Sequence, residues 1–205
     1  MKVLLINGSP HKNGSTFRAL SEVASEINKN GIETEIITVG DQKVSGCMAC
    51  GGCTKKGKCV YDDIVNVLIE KIKACDGVVI GTPVYYASPN GTLISILDRV
   101  FYARTGFAHK VGASIAVARR AGTTASLDVI NKYFTISNMP LCSSVYWNMV
   151  FGNNADQVEN DSEGLQTMRV LGDNMSWLIK CINAGKEQNI LPNNKEQKVK
   201  TNFIR

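Results

Sequence analysis

Nearly unbroken apolar runs at residues 3–6, 77–82 and 113–118 constrain the fold more than any other feature. Each is too short for a helix and lacks the apolar–polar alternation of a half-exposed strand. Each therefore predicts a strand buried on both faces. Helical periodicity fills the gaps between them. Phe17, Leu20, Val23 and Ile27 follow Ser15, a candidate cap, and Gly31 stands past their end. Asp62 and Asp63 open a second helix with Ile64, Val67, Leu68 and Ile72 on one face. Leu93, Leu97, Val100, Phe101 and Arg104 mark a third, residues 126–137 a fourth, and Leu165, Met168, Leu171, Met175 and Leu178 a last one over 163–183. Residues 32–39 alternate in part and read as an edge strand, and residues 141–145 as a weak final strand. Strands alternating with helices predict an α/β fold, a doubly wound five-stranded parallel sheet in the order 2-1-3-4-5. Ligands of such sheets bind beyond the carboxyl ends of the strands, at the switch point between strands 1 and 3.

The two most turn-rich segments follow those two strands, so sequence and topology point to one crevice. Residues 8–16 join a strand to a helix N-terminus, where unpaired N–H groups and the helix dipole favour an anion. Ser9, Ser15 and Thr16 add hydroxyls, and His11 and Lys12 add charge. The segment lacks both the Walker ending and the Gly-x-Gly-x-x-Gly fingerprint. It suits the phosphate monoester of a mononucleotide, or is an ordinary polar turn before a capped helix. Pro83, Val84, Tyr85 and Tyr86 offer a flat heteroaromatic ring a place to pack, or are themselves core or interface residues. Arg119, Arg120, Gly122 and Thr123 cap strand 4 on the same rim, within reach of ring carbonyls or the phosphates of a nicotinamide nucleotide. Tyr146 and Trp147, placed after the final strand, wall the pocket or pack.

Cys47, Cys50, Cys53 and Cys59 fall within one loop, residues 40–60, as C-x2-C-x2-C-x5-C. Four of the chain's seven cysteines in so short a span is a signal. Successive x2 spacings suit iron–sulfur ligation better than zinc, whose knuckles are usually two separated pairs. The fourth spacing is longer than the x3 of the bacterial ferredoxin run. A [4Fe-4S] cluster, another metal and free thiols all remain open from the residues alone. Cys75, Cys142 and Cys181 stand apart in strand or helix contexts and read as small buried hydrophobes.

Hydrophobic residues at 44% and charged residues at 20% exclude a largely disordered chain. No apolar run approaches the roughly 20 residues that cross a bilayer, and the N-terminus turns polar too early for a signal peptide. A cytoplasmic location is the expectation, and stable disulfides are rare there. The net charge of +5 concentrates in residues 186–205, which carry five basic and two acidic residues, a net +3. The interleaved acids argue for a solvated end or a subunit contact rather than a nucleic-acid or membrane partner. The chain thus divides into a domain at 1–183, with a cysteine-rich loop at 44–60, and a basic extension at 184–205.

Residues 8–16, Gly-Ser-Pro-His-Lys-Asn-Gly-Ser-Thr, resemble the FMN-phosphate loop of NAD(P)H-dependent FMN reductases of the flavodoxin-like superfamily. Residues 81–86, Gly-Thr-Pro-Val-Tyr-Tyr, resemble its isoalloxazine loop. The cysteine run before Tyr61-Asp62-Asp63 resembles that of the iron–sulfur flavoprotein subgroup, where such a loop carries a [4Fe-4S] cluster beside FMN. The resemblance implies a flavodoxin-like FMN oxidoreductase fed by NAD(P)H and passing electrons to a quinone, a free flavin or a protein, as a homodimer or homotetramer. It assigns Ser9, His11, Lys12, Asn13, Ser15, Thr16, Pro83, Val84, Tyr85, Tyr86, Ser88, Arg119, Gly122 and Thr123 to the cofactors, with Cys47, Cys50, Cys53 and Cys59 on the cluster. No side chain is needed as a strong acid or base, since the flavin carries the chemistry. The rival is a flavodoxin-like carrier that takes electrons from a ferredoxin and has no NAD(P)H site.

Overall fold

The computed structural model describes residues 1–103, 106–192, 196, 199 and 201. Arg104 and ten of the 22 residues of the basic extension lie outside the described residues. In chain order the elements are β1 (Lys2–Asn7), α1 (Ser15–Lys29), β2 (Glu33–Thr38), α2 (Gly52–Lys56), α3 (Ile64–Ala74), β3 (Gly77–Tyr85), β4 (Ser88–Pro89), α4 (Gly91–Tyr102), β5 (Val111–Ala118), α5 (Thr123–Ile136), β6 (Met149–Phe151), α6 (Ala155–Val158) and α7 (Ser162–Glu187).

Five parallel strands run in the order β2-β1-β3-β5-β6, and β4 folds back antiparallel on the end of β3. This is the expected doubly wound sheet with β2 at an edge. The unbroken apolar runs follow from two covered faces. Val3 and Leu5 point toward α1 and α7, while Leu4 and Ile6 point toward α3 and α4. Among the described residues, no helix is long and apolar enough to cross a membrane.

The last parallel strand is not residues 141–145. Leu141 makes an isolated bridge to Gly112, and Cys142 donates its N–H to the Gly112 carbonyl. The chain then peels away, with Ser144 Oγ at 2.7 Å from both the Tyr146 carbonyl oxygen and Asn148 Oδ1. Pairing resumes at Met149, opposite Ala116. Tyr146 and Trp147 therefore precede this strand and lie exposed, edge to face at 4.9 Å. They line a hollow with Ser114, Thr124 and Asn131, away from the switch-point cleft.

Three helices depart from expectation, α3 in its buried face and α5 and α7 in their limits. α3 buries Val65, Leu68, Ile69 and Ile72, and leaves Val67 exposed. Its phase is set by Asp63, whose carboxylate caps the Val65 N–H. α5 starts at Thr123 rather than residue 126, because Gly122 turns the chain at φ +90° directly before it. α7 continues past residue 183 to Glu187.

Cys75 and Cys142 are buried as expected, but Cys181 is exposed on α7. Burial pushes the Cys142 thiol up to about 11 from an ordinary value of 9.0. Between those values the unfolded chain has released the proton and the folded chain has not, so stability falls as pH rises. The whole gap corresponds to roughly 2–3 kcal/mol, fully present below the lower value and gone above the upper one. Urea unfolding at about pH 8.5 and about pH 10.5 is expected to show a smaller alkaline loss in Cys142→Ala than in the wild type.

Candidate functional site

One cleft of about 950 Å³ opens at the carboxyl ends of β1, β3 and β5. Its walls include residues 9–16, Pro83, Val84, Tyr85, Arg119 and residues 152–156. The β1–α1 loop is held in shape by its own hydrogen bonds. Buried Asn7 accepts the Ser9 N–H at 3.1 Å through Oδ1, and its Nδ2 donates to Thr38 Oγ1 at 3.2 Å. Ser9 Oγ accepts the His11 N–H at 3.2 Å and keeps its own proton to donate. The Gly8 N–H donates to the Gly81 carbonyl at 2.8 Å, tying the loop after β1 to β3.

Ser15 is not a cap. It is the first residue of α1, and Gly14 precedes it with no side chain to accept the helix's first N–H groups. No acidic residue stands in the first turn. An uncapped helix N-terminus facing a cleft, with Ser9, Ser15, Thr16 and Lys12 around it, fits a phosphate monoester. Arg119 lines the same cleft; Arg120 does not. Tyr85 stands half exposed on the wall, a surface for a planar ring.

Four assigned residues do not line this cleft. Tyr86 and Ala87 form the two-residue tip of the β3–β4 hairpin, both at positive φ (50° and 56°), and Tyr86 is fully exposed. Ser88 is exposed beside them, and Gly122 and Thr123 sit behind. A Cβ on Gly122 would lie 2.6 Å from Ala87 Cα, so the hairpin tip presses on this turn. Residues 152–156, which do line the cleft, went unrecognised in the sequence. The signal was there: a short apolar run, Met149-Val150-Phe151, followed by Gly-Asn-Asn.

Cys47, Cys50, Cys53 and Cys59 line a second, smaller pocket with Tyr61, Arg99 and Tyr102. The two cavities share no residue. The cysteine loop follows β2, a parallel strand, and so starts at the carboxyl rim. Its pocket leans on the last turn of α4, roughly 12 Å along the helix from Gly91 to Arg99. Cys59 is clamped by Asn66, whose Oδ1 accepts its N–H at 2.8 Å and whose Nδ2 donates to its carbonyl at 3.3 Å. Arg99, which sequence reasoning passed over as one more position of a helix, donates to Cys59 Sγ from Nε and from one terminal nitrogen, both at 3.3 Å. Burial opposes the guanidinium's charge, yet Asp63 and Cys59 hold it above its usual range.

Burial pushes the Cys53 thiol up, and the sulfurs of Cys47, Cys50 and Cys59 act in the same direction. Four thiolates would coexist here only with a positive centre among them. No three such side chains among the described residues are placed to hold a single metal ion. Thiols spread around one pocket, with a guanidinium donating to one sulfur, fit the corners of a cluster in donor type and number.

The fold is a flavodoxin-like doubly wound sheet with its cleft at the switch point. A family model described as NADPH-dependent FMN reductase matches residues 1–154, and the chain belongs to that family. Within it the chain falls with the iron–sulfur flavoproteins. It is 33% identical over 191 residues to an iron–sulfur flavoprotein of Methanocaldococcus jannaschii, covering 89% of this chain and 99% of that one. Among solved structures, RosB with bound 8-demethyl-8-formylriboflavin-5'-phosphate superposes with a TM-score of 0.70 at 16% identity, covering 100% of this chain and 92% of that one. An archaeal flavodoxin gives 0.61 at 13%, covering 88% and 99%. These two likenesses speak to the fold.

Proposed function

We propose that the chain oxidises a reduced nicotinamide nucleotide at FMN held in the switch-point cleft, and passes electrons on through a [4Fe-4S] cluster on Cys47, Cys50, Cys53 and Cys59. The acceptor is a quinone, a free flavin or a protein. The observation that carries this reading is the cleft itself, where an uncapped helix N-terminus and an aromatic wall face one cavity. The name of the relative and the four-thiol pocket support the cluster.

Bound FMN would supply the hydride-accepting ring, and the cluster single-electron storage. The chain's own part is positioning. The N–H groups of Ser15 and Thr16 with the Ser9 hydroxyl bind the phosphate, and Lys12 offsets its charge. Pro83, Val84 and Tyr85 exclude water from one flank of the ring. Arg119 is placed to meet a ring carbonyl or a nucleotide phosphate. No proton has to be held at a strong side-chain acid or base. The homodimeric or homotetrameric assembly that the resemblance implies is part of the proposal.

Anaerobic stopped-flow mixing with NADPH and with NADH tests the donor side. Rapid bleaching of the flavin band by at least one of them is the expected result. A flavin that neither bleaches, but that a reduced ferredoxin does, would overturn the reading in favour of an electron carrier.

A further inference from the structure

Arg99 projects from α4 into a buried place: its side chain is 1% exposed. A guanidinium leaves water only at considerable cost unless every donor is met. Asp63 takes two of them, at 2.8 and 2.9 Å, and the Ser45 carbonyl accepts at 3.2 Å. Two further donations go to Cys59 Sγ, and the Tyr61 ring lies 5.0 Å from the guanidinium carbon. Structural support for the loop would need no charge, since a leucine or methionine fills such a space without desolvating one. The chain instead keeps a fixed cation against a sulfur.

We propose that Arg99 sets the reduction potential of the cysteine site, by presenting a buried positive charge and two N–H donors to the Cys59 sulfur. The inference rests on the cluster reading above. The step concerned is the arrival of one electron from reduced flavin, with no bond made or broken and no proton taken up at Cys59. The added negative charge spreads onto the thiolates, and hydrogen bonds to those sulfurs raise the potential. Arg99 cannot lose its proton, and little water reaches it to screen its field. Asp63 works the other way, because its carboxylate offsets part of the same guanidinium charge. Arg99 is thus a positioning residue acting through Cys59, and the pair should move the potential in opposite directions.

A spectroelectrochemical titration of anaerobically prepared holoprotein tests this, with iron and sulfide assayed first. Arg99→Gln is expected to lower the ratio of reduced to oxidised cluster at least tenfold at a fixed applied potential, about 59 mV for one electron. Asp63→Asn keeps an oxygen to cap the Val65 N–H, and should raise the ratio. Arg99→Lys retains the charge but not the planar fork, and should fall between wild type and Arg99→Gln. Unchanged potentials in iron-loaded variants, or shifts of Arg99→Gln and Asp63→Asn in the same direction, overturn the inference and leave the cluster reading standing. If Arg99→Gln alone fails to load iron, the sign of the Asp63→Asn shift decides. Iron-free variants beside a loaded wild type assign the pair to cluster assembly and overturn tuning. A wild type without iron overturns the cluster reading, and the inference with it.

Discussion

Cys53→Ala is expected to bring iron and acid-labile sulfide to background while the protein keeps its FMN. Cys53 lies in α2, half buried against the core beneath α3, and its carbonyl accepts the Gly57 N–H at 2.8 Å. Alanine preserves that backbone bond and suits a helix, so the fold should lose no more than about 1 kcal/mol. A cluster held by four thiolates does not survive as such on three when solvent reaches the site, and Cys47 and Cys50 are exposed. The flavin should stay because its cleft contains none of the residues of the cysteine pocket. Iron assay and flavin absorbance on one preparation check both halves. Retained iron would contradict the ligand assignment, and lost flavin the separation of the two sites.

Gly40→Ala is expected to weaken FMN binding although Gly40 is not a lining residue of the cleft. A Cβ there would sit 2.3 Å from both the Gly8 oxygen and the Ser9 carbonyl carbon. Those are backbone atoms of the β1–α1 loop, so the loop must move. The neighbouring Val39 N–H is bonded to the Asn7 carbonyl at 2.9 Å, which leaves the β2 side little room to give. Overpacking of this kind costs about 1–3 kcal/mol. Transferred to the bound state, it raises the FMN dissociation constant at least tenfold, about 1.4 kcal/mol. Titration of the deflavinated protein with FMN, followed by quenching of flavin fluorescence, measures it. An unchanged dissociation constant would mean that the loop does not position the phosphate. Iron content should match the wild type.

The doubly wound sheet was legible because burial on both faces forces unbroken apolar strands, and three of them stand out. What failed was local. Residues 141–145 carry enough apolar character for a strand, but the local polar contacts of Ser144, where the chain leaves the sheet, give no hydropathy signal. The β3–β4 hairpin escaped notice because Tyr86-Ala87 occupies positions where Asn-Gly is the usual cue. The β1–α1 loop was readable as an anion-site candidate from its strand–turn–helix setting. The supports behind it, Asn7 and Gly40, were not, since both act on backbone brought close by parallel pairing. Ser15 looked like a cap, and the structure makes it the first residue of a helix with no cap, which strengthens the case for an anion. Arg99 was invisible as a site residue: its partners Cys59 and Asp63 lie 40 and 36 positions away.

In the proposed function, one chain carries a flavin in the switch-point cleft and an iron–sulfur cluster at the four-cysteine pocket. The most direct measurement is the ratio of iron to sulfide to FMN in anaerobically purified protein, read with its absorbance spectrum. About four iron and about four sulfide are expected for each FMN. Iron without sulfide, iron near zero, or protein that neither contains nor takes up FMN would contradict it.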